Sequence, residues 1–568
     1  MTILIVMVVG LLAVAAAAAF APRLRISAPL ILVVAGIGVS FLPFIPPIES
    51  HPEWVLAGIL PPLLYSASVS MPTMNFRREF TAIGGLSVAL VVISSIVLGL
   101  FFAWVIPGLG LWWGIALGAI VSPTDAVATS IVKKVGVSGR VVAVLEGESL
   151  LNDATALVLL RTAIAGTAAA VSFWGVLGSF AYSVAVAVVL GFVVGKLNLW
   201  VRSKISDATV NTVLSFTVPF LASIPAELLG ASGLVAAVVA GLITGRGAAR
   251  KLPPQHRLSD SQNWHVIELI LEGAVFLVMG LELFNIVSEV QKEHAGIGTA
   301  VLIAAGALVL TVLVRAAYVA PLLSGLRRRA RRGQKMKPRL DVMQERFNSS
   351  EESLIVQDTR GPAPSPRRLE MLRIRVRRSI ADIDYLVAAP LGWREGGVLV
   401  WAGMRGAVTL AAAQTLPFGE TPHRALLILI AFTVAAASLL LQGGTLSAFV
   451  SWIKPALPDD AASKEERGRI LALLAEIERD VTTSVAQQAD ASPTDAAATA
   501  VARADAAGPA DDHVAWKKRT LDIIAAQRTA LLDARDDGAY SAEVLNSALT
   551  NLDADQISIE LKGAPPEL

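Results

Sequence analysis

The chain has 568 residues, 54% hydrophobic and only 17% charged, with a mean hydropathy of +0.62; soluble domains are typically about 25% charged. Its 48 Lys and Arg against 46 Asp and Glu leave a formal charge of +2, so global charge argues against a nucleic-acid partner. The absence of cysteine excludes disulfides, cysteine-held zinc and thiol nucleophiles. A bilayer is the natural solvent for such a composition.

The first apolar stretch, MTILIVMVVGLLAVAAAAAF, lacks a basic leader, and Arg23 and Arg25 follow rather than precede it. It reads as a retained first span with an outside N-terminus. A spanning helix needs about 20 apolar residues, and about thirteen stretches qualify: 2–21, 27–47, 54–71, 81–106, 111–132, 141–164, 170–195, 208–225, 231–245, 264–287, 296–325, 396–416 and 424–452. Alternate loops carry the basic residues, namely Arg23/Arg25, Arg77/Arg78, Lys133/Lys134/Arg140, Lys196/Arg202/Lys204, Arg246/Arg250/Lys251/Arg257 and the run from Arg327; Lys292 and Arg424 are the exceptions. By the positive-inside rule the C-terminus is cytoplasmic and the protein a multi-pass protein of the cytoplasmic (inner) membrane.

The division expected is a membrane domain in two parts, 1–326 with about eleven spans and 393–455 with the last two, around a basic cytoplasmic loop, 327–392, and ahead of a tail, 456–568. Within the loop, RRLEMLRIRVRRSI is either an amphipathic helix on anionic lipid, contact being expected over 327–380, or a solvated basic linker. The tail has two helical patterns, either regulatory or stabilising, around an Ala/Asp/Thr/Pro linker at 490–512 expected to be disordered.

An ionisable group within a span costs about 2.5–3.5 kcal/mol and marks an ion or proton path by default. Such groups here are Asp125, Glu148, Asp153, Glu268, Glu272, Arg315 and Arg405. Asp125 follows Ser122, Pro123 and Thr124, where proline removes a donor and disfavours helix before it. A break there frees carbonyls to ligate a cation, while Asp125 caps the second half-helix or ligates, or does both. One helical face carries Ser149 and Asp153, the adjoining one Glu148 and Asn152. Hard cations prefer oxygen ligands, so Asp125, Ser149, Asp153 and the Thr124 carbonyl would suffice with water to hold Na+; Ser149 alternatively packs helices together. Glu148 and Arg405, opposite charges in different spans, are expected to form a structural ion pair.

These residues resemble the monovalent cation:proton antiporter family, which includes NhaP-type bacterial sodium/proton antiporters and animal sodium/proton exchangers. GESLLNDATALVL at 147–159 is the most specific match, supported by LPPLLY at 60–65, SPTDAVA at 122–128, the 264–282 stretch and WAGMRGAV at 401–408. The resemblance implies an all-α inverted-repeat fold with two broken helices crossing near the midplane, those holding Asp125 and Arg405, and a homodimer. It implies that Asp153 takes either cation or proton, and that Asn152, standing where electrogenic relatives carry a second aspartate, makes exchange electroneutral. It maps the family's core ion pair onto Glu148 and Arg405. Ser66 departs from the acid many relatives carry after LPP, and Glu272 matches an acidic position of the animal exchangers, where it either modulates exchange or packs helices; Arg315 is a further candidate modulator.

The function expected is therefore one-for-one Na+/H+ antiport by alternating access, with cation and proton competing for Asp153. The rivals are a K+/H+ antiporter of the same fold and, from another class, a channel or transport-dead sensor signalling through the tail. No phosphate-cradling glycine loop, metal-spaced histidines or nucleophile-plus-base set is present in the sequence, so neither a cofactor nor an enzyme is expected.

Overall fold

The computed structural model describes residues 2–24, 27–41, 54–168, 173–292, 296–348, 366–456, 460–490 and 509–562. All regular structure among them is helical, with no β-strand. The helices are α1 Thr2–Leu24, α2 Ala28–Ser40, α3 Leu60–Ser70, α4 Thr73–Gly84, α5 Val91–Val105, α6 Leu111–Val121, α7 Val127–Val135, α8 Gly139–Ala168, α9 Phe173–Arg202, α10 Ala208–Leu228 and α11 Gly233–Lys251. They continue as α12 Pro254–Leu281, α13 Leu283–Lys292, α14 Ile297–Asn348, α15 Pro366–Ala388, α16 Trp393–Trp401, α17 Ala407–Gln414, α18 Arg424–Ser438, α19 Gly444–Ile453, α20 Asp460–Asp490, α21 Pro509–Asp537 and α22 Ala542–Leu561. Single π-helical stretches lead into α3 and join α4 to α5 and α18 to α19. In these last two joins the chain stays helical from Thr73 to Val105 and from Arg424 to Ile453.

So far as they are described, the thirteen apolar stretches all fall on helices. Among the described residues seven helices are long and apolar enough to cross a bilayer by length and composition, and three shorter apolar ones accompany them. Two of the stretches are interrupted over several residues, and a third only at Glu282, between α12 and α13. Between α6 and α7 the chain leaves the helix over Ser122–Ala126, as Pro123 dictates by lacking an N–H and disfavouring helix at Ser122. Between α16 and α17 the break covers Ala402–Gly406 and contains no proline. Its cause is tertiary and is taken up with the site.

The chain divides into two units. The first comprises Met1–Ala248, Ser259–Arg329 and Ala389–Leu457 and holds the continuous apolar core from α1 to α19. It also buries three ion pairs: Glu148–Arg315, Arg202–Asp260 and Glu79–Arg140. Arg140 and Arg202, read above as loop charges, are thus internal. Arg140 spans from Glu79 on α4 to the Ala389 carbonyl, 2.8 Å away, just before α16. Arg202, fully buried, donates to Asn211 Oδ1 at 2.6 Å and Asp260 Oδ2 at 2.9 Å.

The second unit comprises Ala249–Leu258, Ala330–Ala388 and Pro458–Leu568. The loop expected from 327 is instead helical for its first third, since α14 runs without interruption to Asn348. A basic sequence forms helix as well as an apolar one, because helical hydrogen bonds are local and Arg and Lys are good helix formers. α15 carries the expected amphipathic helix, but its apolar face packs Val376, Leu372 and Ile380 onto Phe347, Leu340 and Met343 of α14, closing a hairpin. Residues 349–365, and 491–508 of the linker expected at 490–512, lie outside the described residues; 509–512 begin α21. Helices α20, α21 and α22 share a core of Ile470, Ile524, Leu531, Leu545 and Leu549.

Candidate cation site

Four elements converge on Asp125. Its backbone N–H donates to the Met404 carbonyl at 2.7 Å, so the two helix breaks meet directly. Its Oδ1 accepts from the Val127 N–H at 2.9 Å, at the start of α7. On the other side, a Cβ placed on Gly406 would lie inside the Asp125 carboxyl group. Gly406 is the N-cap of α17, where a side-chain oxygen ordinarily covers the free N–H groups of the first turn. Asp125, from the break between α6 and α7, occupies that space instead. One carboxylate therefore serves the N-terminal ends of two half-helices.

Arg405 sits at the opposite pole. Its guanidinium donates to the carbonyls of Val121 at 3.0 Å, Ser122 at 3.4 Å and Gly403. The first two are carbonyls freed at the C-terminal end of α6, where the helix dipole is negative and a cation is stabilising. This corrects the expected pairing. Glu148 is bound not by Arg405 but by Arg315 of α14, bidentately, at 2.5 and 2.7 Å, with both side chains 2% exposed. Arg315 also holds the Leu399 carbonyl at 2.8 Å. The planar fork of Arg315 matches a carboxylate, while the freed carbonyls already occupy Arg405. Gly403 has the room Arg315 needs, since a Cβ there would stand 2.5 Å from the Arg315 Nε. The α16–α17 break is thus shaped by two side chains from elsewhere, Asp125 and Arg315.

On α8, Asn152 donates to the Thr124 carbonyl at 3.1 Å and Thr124 Oγ1 at 2.6 Å, and Thr124 in turn donates to Glu148 at 3.1 Å. This chain ties the first break to the Glu148–Arg315 pair. The Thr124 carbonyl, expected as a cation ligand, is therefore already an acceptor. Ser149 is buried, with its hydroxyl donating to the Glu146 carbonyl at 3.1 Å. Asp153 is 7% exposed and has no hydrogen bond or ion pair among the described residues. The charge of Asp125 acts on it and also on Glu272 of α12. Asp125, Asn152, Asp153 and Glu272 thus belong to one region, while Ser149 lies one turn before Asp153 on α8 and Ser66 is buried on α3. Sequence reasoning missed Gly403, Gly406, and the pairs of Glu79 with Arg140 and Arg202 with Asp260. Glycine carries no chemistry to flag it, and the two arginines counted as ordinary loop charges.

Ionisable groups gathered beside two broken helices in an apolar interior mark a candidate ion or proton path. The sodium/hydrogen exchanger transmembrane family profile matches residues 9–452. The chain belongs to this family. An uncharacterised Na+/H+ exchanger of Escherichia coli K12, YjcE, is 35% identical over 268 residues, 46% of this chain and 49% of that protein. The match thus spans about half the length of that relative. A Na+/H+ antiporter of Aphanothece halophytica, ApNhaP, is 26% identical over 79% of this chain and 74% of its own. The sodium, potassium, lithium and rubidium/H+ antiporter of Bacillus subtilis is 31% identical over 48% of this chain and 42% of its own. The sodium proton antiporter MjNhaP1 of Methanocaldococcus jannaschii at pH 8 superposes with a TM-score of 0.56 at 16% identity, covering 80% of this chain and 99% of that chain. The chain therefore has the NhaP1 antiporter fold and is a multi-pass membrane protein.

Proposed function

We propose that this exchanger moves one Na+ against one proton, with Asp153 accepting either but never both, and that the occupied site alternates between the two faces of a cytoplasmic membrane. The observation that carries this reading is the state of Asp153, buried in a span yet with no hydrogen bond or ion pair among the described residues, and acted on by the charge of Asp125. A carboxylate left so is costly unless a proton or cation neutralises it. Asn152 supports one-for-one stoichiometry, because its amide is consumed in holding Thr124 and brings no second exchangeable charge. Asp125, Asp153, Asn152 and Ser149 supply oxygens of the kind a hard cation takes.

The membrane domain would present its basic loops and the second unit to the cytoplasm, with the N-terminus outside and thirteen spans. The division would be 1–326 and 393–455 in the membrane, with 327–392 and 456–568 outside it. A homodimer is the assembly the family resemblance favours. Contact of the 327–380 region with anionic lipid would rest on its guanidinium groups, since the apolar face of α15 is used in the hairpin. A second reading, a broader alkali-cation specificity that includes K+, is supported by the printed substrates of the Bacillus subtilis relative.

The test is purified protein in liposomes with an imposed pH gradient, an internal pH dye and Na+, K+ or Li+ added with voltage clamped or free, for wild type and Asp153→Asn. Dissipation by a cation in the wild type alone, indifferent to voltage, is expected, and the effective cation names the substrate. A flux that follows voltage without proton counterflow would identify a channel. A mutant equal to the wild type would remove Asp153 from the mechanism.

A further inference from the structure

Two buried oxygens on the elements forming the site have no hydrogen-bond partner among the described residues: Asn152 Oδ1 and Thr409 Oγ1. The Asn152 oxygen is the remaining half of an amide whose nitrogen is engaged by Thr124. Thr409 is the stranger case. A helical threonine ordinarily satisfies its hydroxyl on the carbonyl one turn back. Thr155, Thr162, Thr311 and Thr433 all do so here, at 3.0, 2.8, 2.7 and 2.7 Å. Thr409, in the first turn of α17, has no helical turn behind it, because residues 402–406 are the break. Its hydroxyl is left over, on a residue only 1% exposed. Leaving a buried hydroxyl without a partner is costly, so a partner that arrives only part of the time would recover that cost.

Its position indicates which partner. Thr409 is the third residue after the N-cap Gly406, and its N–H bonds the Gly406 carbonyl at 3.2 Å. At that position a side chain lies on the same side of the helix as the N-cap's own, which is how the two reach one another in a capping box. The N-cap side-chain space of α17 is filled by the Asp125 carboxyl. The Thr409 hydroxyl therefore shares its side of α17 with Asp125, and Asp125 faces Asp153 and Glu272 electrostatically.

We propose that Thr409 Oγ1 is a ligand of the transported alkali cation and sets which cation is preferred. This rests on the reading of Asp153 and Asp125 as the exchange site. The aspartates supply charge, which attracts every monovalent cation alike. A neutral oxygen on the first turn of α17, on the side of that helix where the Asp125 carboxyl lies, adds a ligand at a fixed spacing from that charge, and selection among hard cations follows ligand number and cavity size. The hydroxyl donor of Thr409 stays free to rotate towards a carboxylate oxygen when a proton has replaced the cation.

The experiment compares full-length wild type, Thr409→Val, Thr409→Ser and Thr409→Ala, purified in detergent, by the Na+, Li+ and K+ concentrations that half-maximally raise the thermal melting temperature. Liposome exchange gives the half-saturating concentrations in parallel. Valine keeps the shape and removes the oxygen, serine keeps the oxygen, and alanine removes it without crowding. The valine and alanine variants are expected to need about tenfold more Na+, equivalent to about 1.4 kcal/mol, with the order of the three cations altered. Serine should stay within about twofold of wild type. Unchanged midpoints in valine and alanine overturn the proposal, even if their melting temperature without cation falls, because the hydroxyl would then be structural. Asp153→Asn separates the two levels. If wild type shows no cation effect, or Asp153→Asn retains it, the site reading itself fails; if both behave as expected and Thr409→Val matches wild type, only the role of Thr409 fails.

Discussion

Glu148 and Arg315 make the strongest pairwise contact of the site, a two-pronged ion pair with both side chains 2% exposed. Breaking a buried pair by removing one partner costs about 3–5 kcal/mol, because the other charge is left uncompensated. Glu148→Gln and Arg315→Gln are each expected to lower thermal stability by that order. The double substitution should lose less than the sum, a coupling that a double-mutant cycle of melting or denaturant midpoints measures. The same cycle on Glu148 and Arg405 should give a clearly smaller coupling, since Arg405 is bound to carbonyls. The charges at 148, 315 and 405 are evident in the sequence as rare groups in apolar stretches. Which arginine meets Glu148 is not, because one carboxylate had two candidate partners and the choice depends on what else each guanidinium touches.

The two interrupted helices have different origins. The break before Asp125 is written in Pro123, whose missing N–H and ring act on adjacent residues and so can be read locally. The break at 402–406 has no such signal. It is compatible with its surroundings because Gly403 and Gly406 leave space that Arg315 and Asp125 fill. Gly406 has extended backbone angles, φ −134 and ψ −155, open to any residue, so its requirement is steric. Gly406→Ala is expected to push Asp125 from the N-terminus of α17 and raise the half-saturating Na+ concentration in liposomes by at least about tenfold, one ordinary ligand contact being worth about that. Wild-type saturation in that variant would show that Asp125 acts without this placement. α14 makes the complementary point, since its helical hydrogen bonds continue to Asn348 past the apolar-to-basic change at which the sequence suggests a loop.

In the second unit, three sections of chain far apart in sequence form one body. The ten residues 249–258, which are the end of α11, the two residues after it and the start of α12, are gripped by α21 and α22. Arg250 reaches Asp533 and Asp536 at 2.7 and 3.0 Å, Gln255 reaches Glu560 at 3.0 Å, and Arg257 and Arg528 share Asp553 at 2.5 and 2.9 Å. Burial pushes the Arg257 guanidinium below its usual value, and Asp553 opposes that by stabilising its charge. Asp553→Ala leaves two arginines without their shared partner. It is expected to speed amide hydrogen exchange over 249–258 by about tenfold or more, as local opening becomes cheaper, with little change in the α14–α15 hairpin. Mass-spectrometric exchange on the full chain reads both regions at once, and equal protection in 249–258 would show that the ion pairs do not hold it.

The sequence by itself determined the class of this protein: an all-helical membrane chain, where its helices lie, one break, and the residues at which charge enters the apolar phase. These follow from transfer free energy and backbone chemistry, which act over one or two turns and need no knowledge of distant residues. Only the tertiary structure decided who meets whom. It assigned Glu148 to Arg315, placed Asp125 in the N-cap space of Gly406, buried Arg140 and Arg202, folded the basic helix of the loop onto α14, and gave the 249–258 connector to the tail helices. Each of these is a choice among chemically equivalent partners, and it is settled by geometry that arises only when helices distant in sequence are packed together.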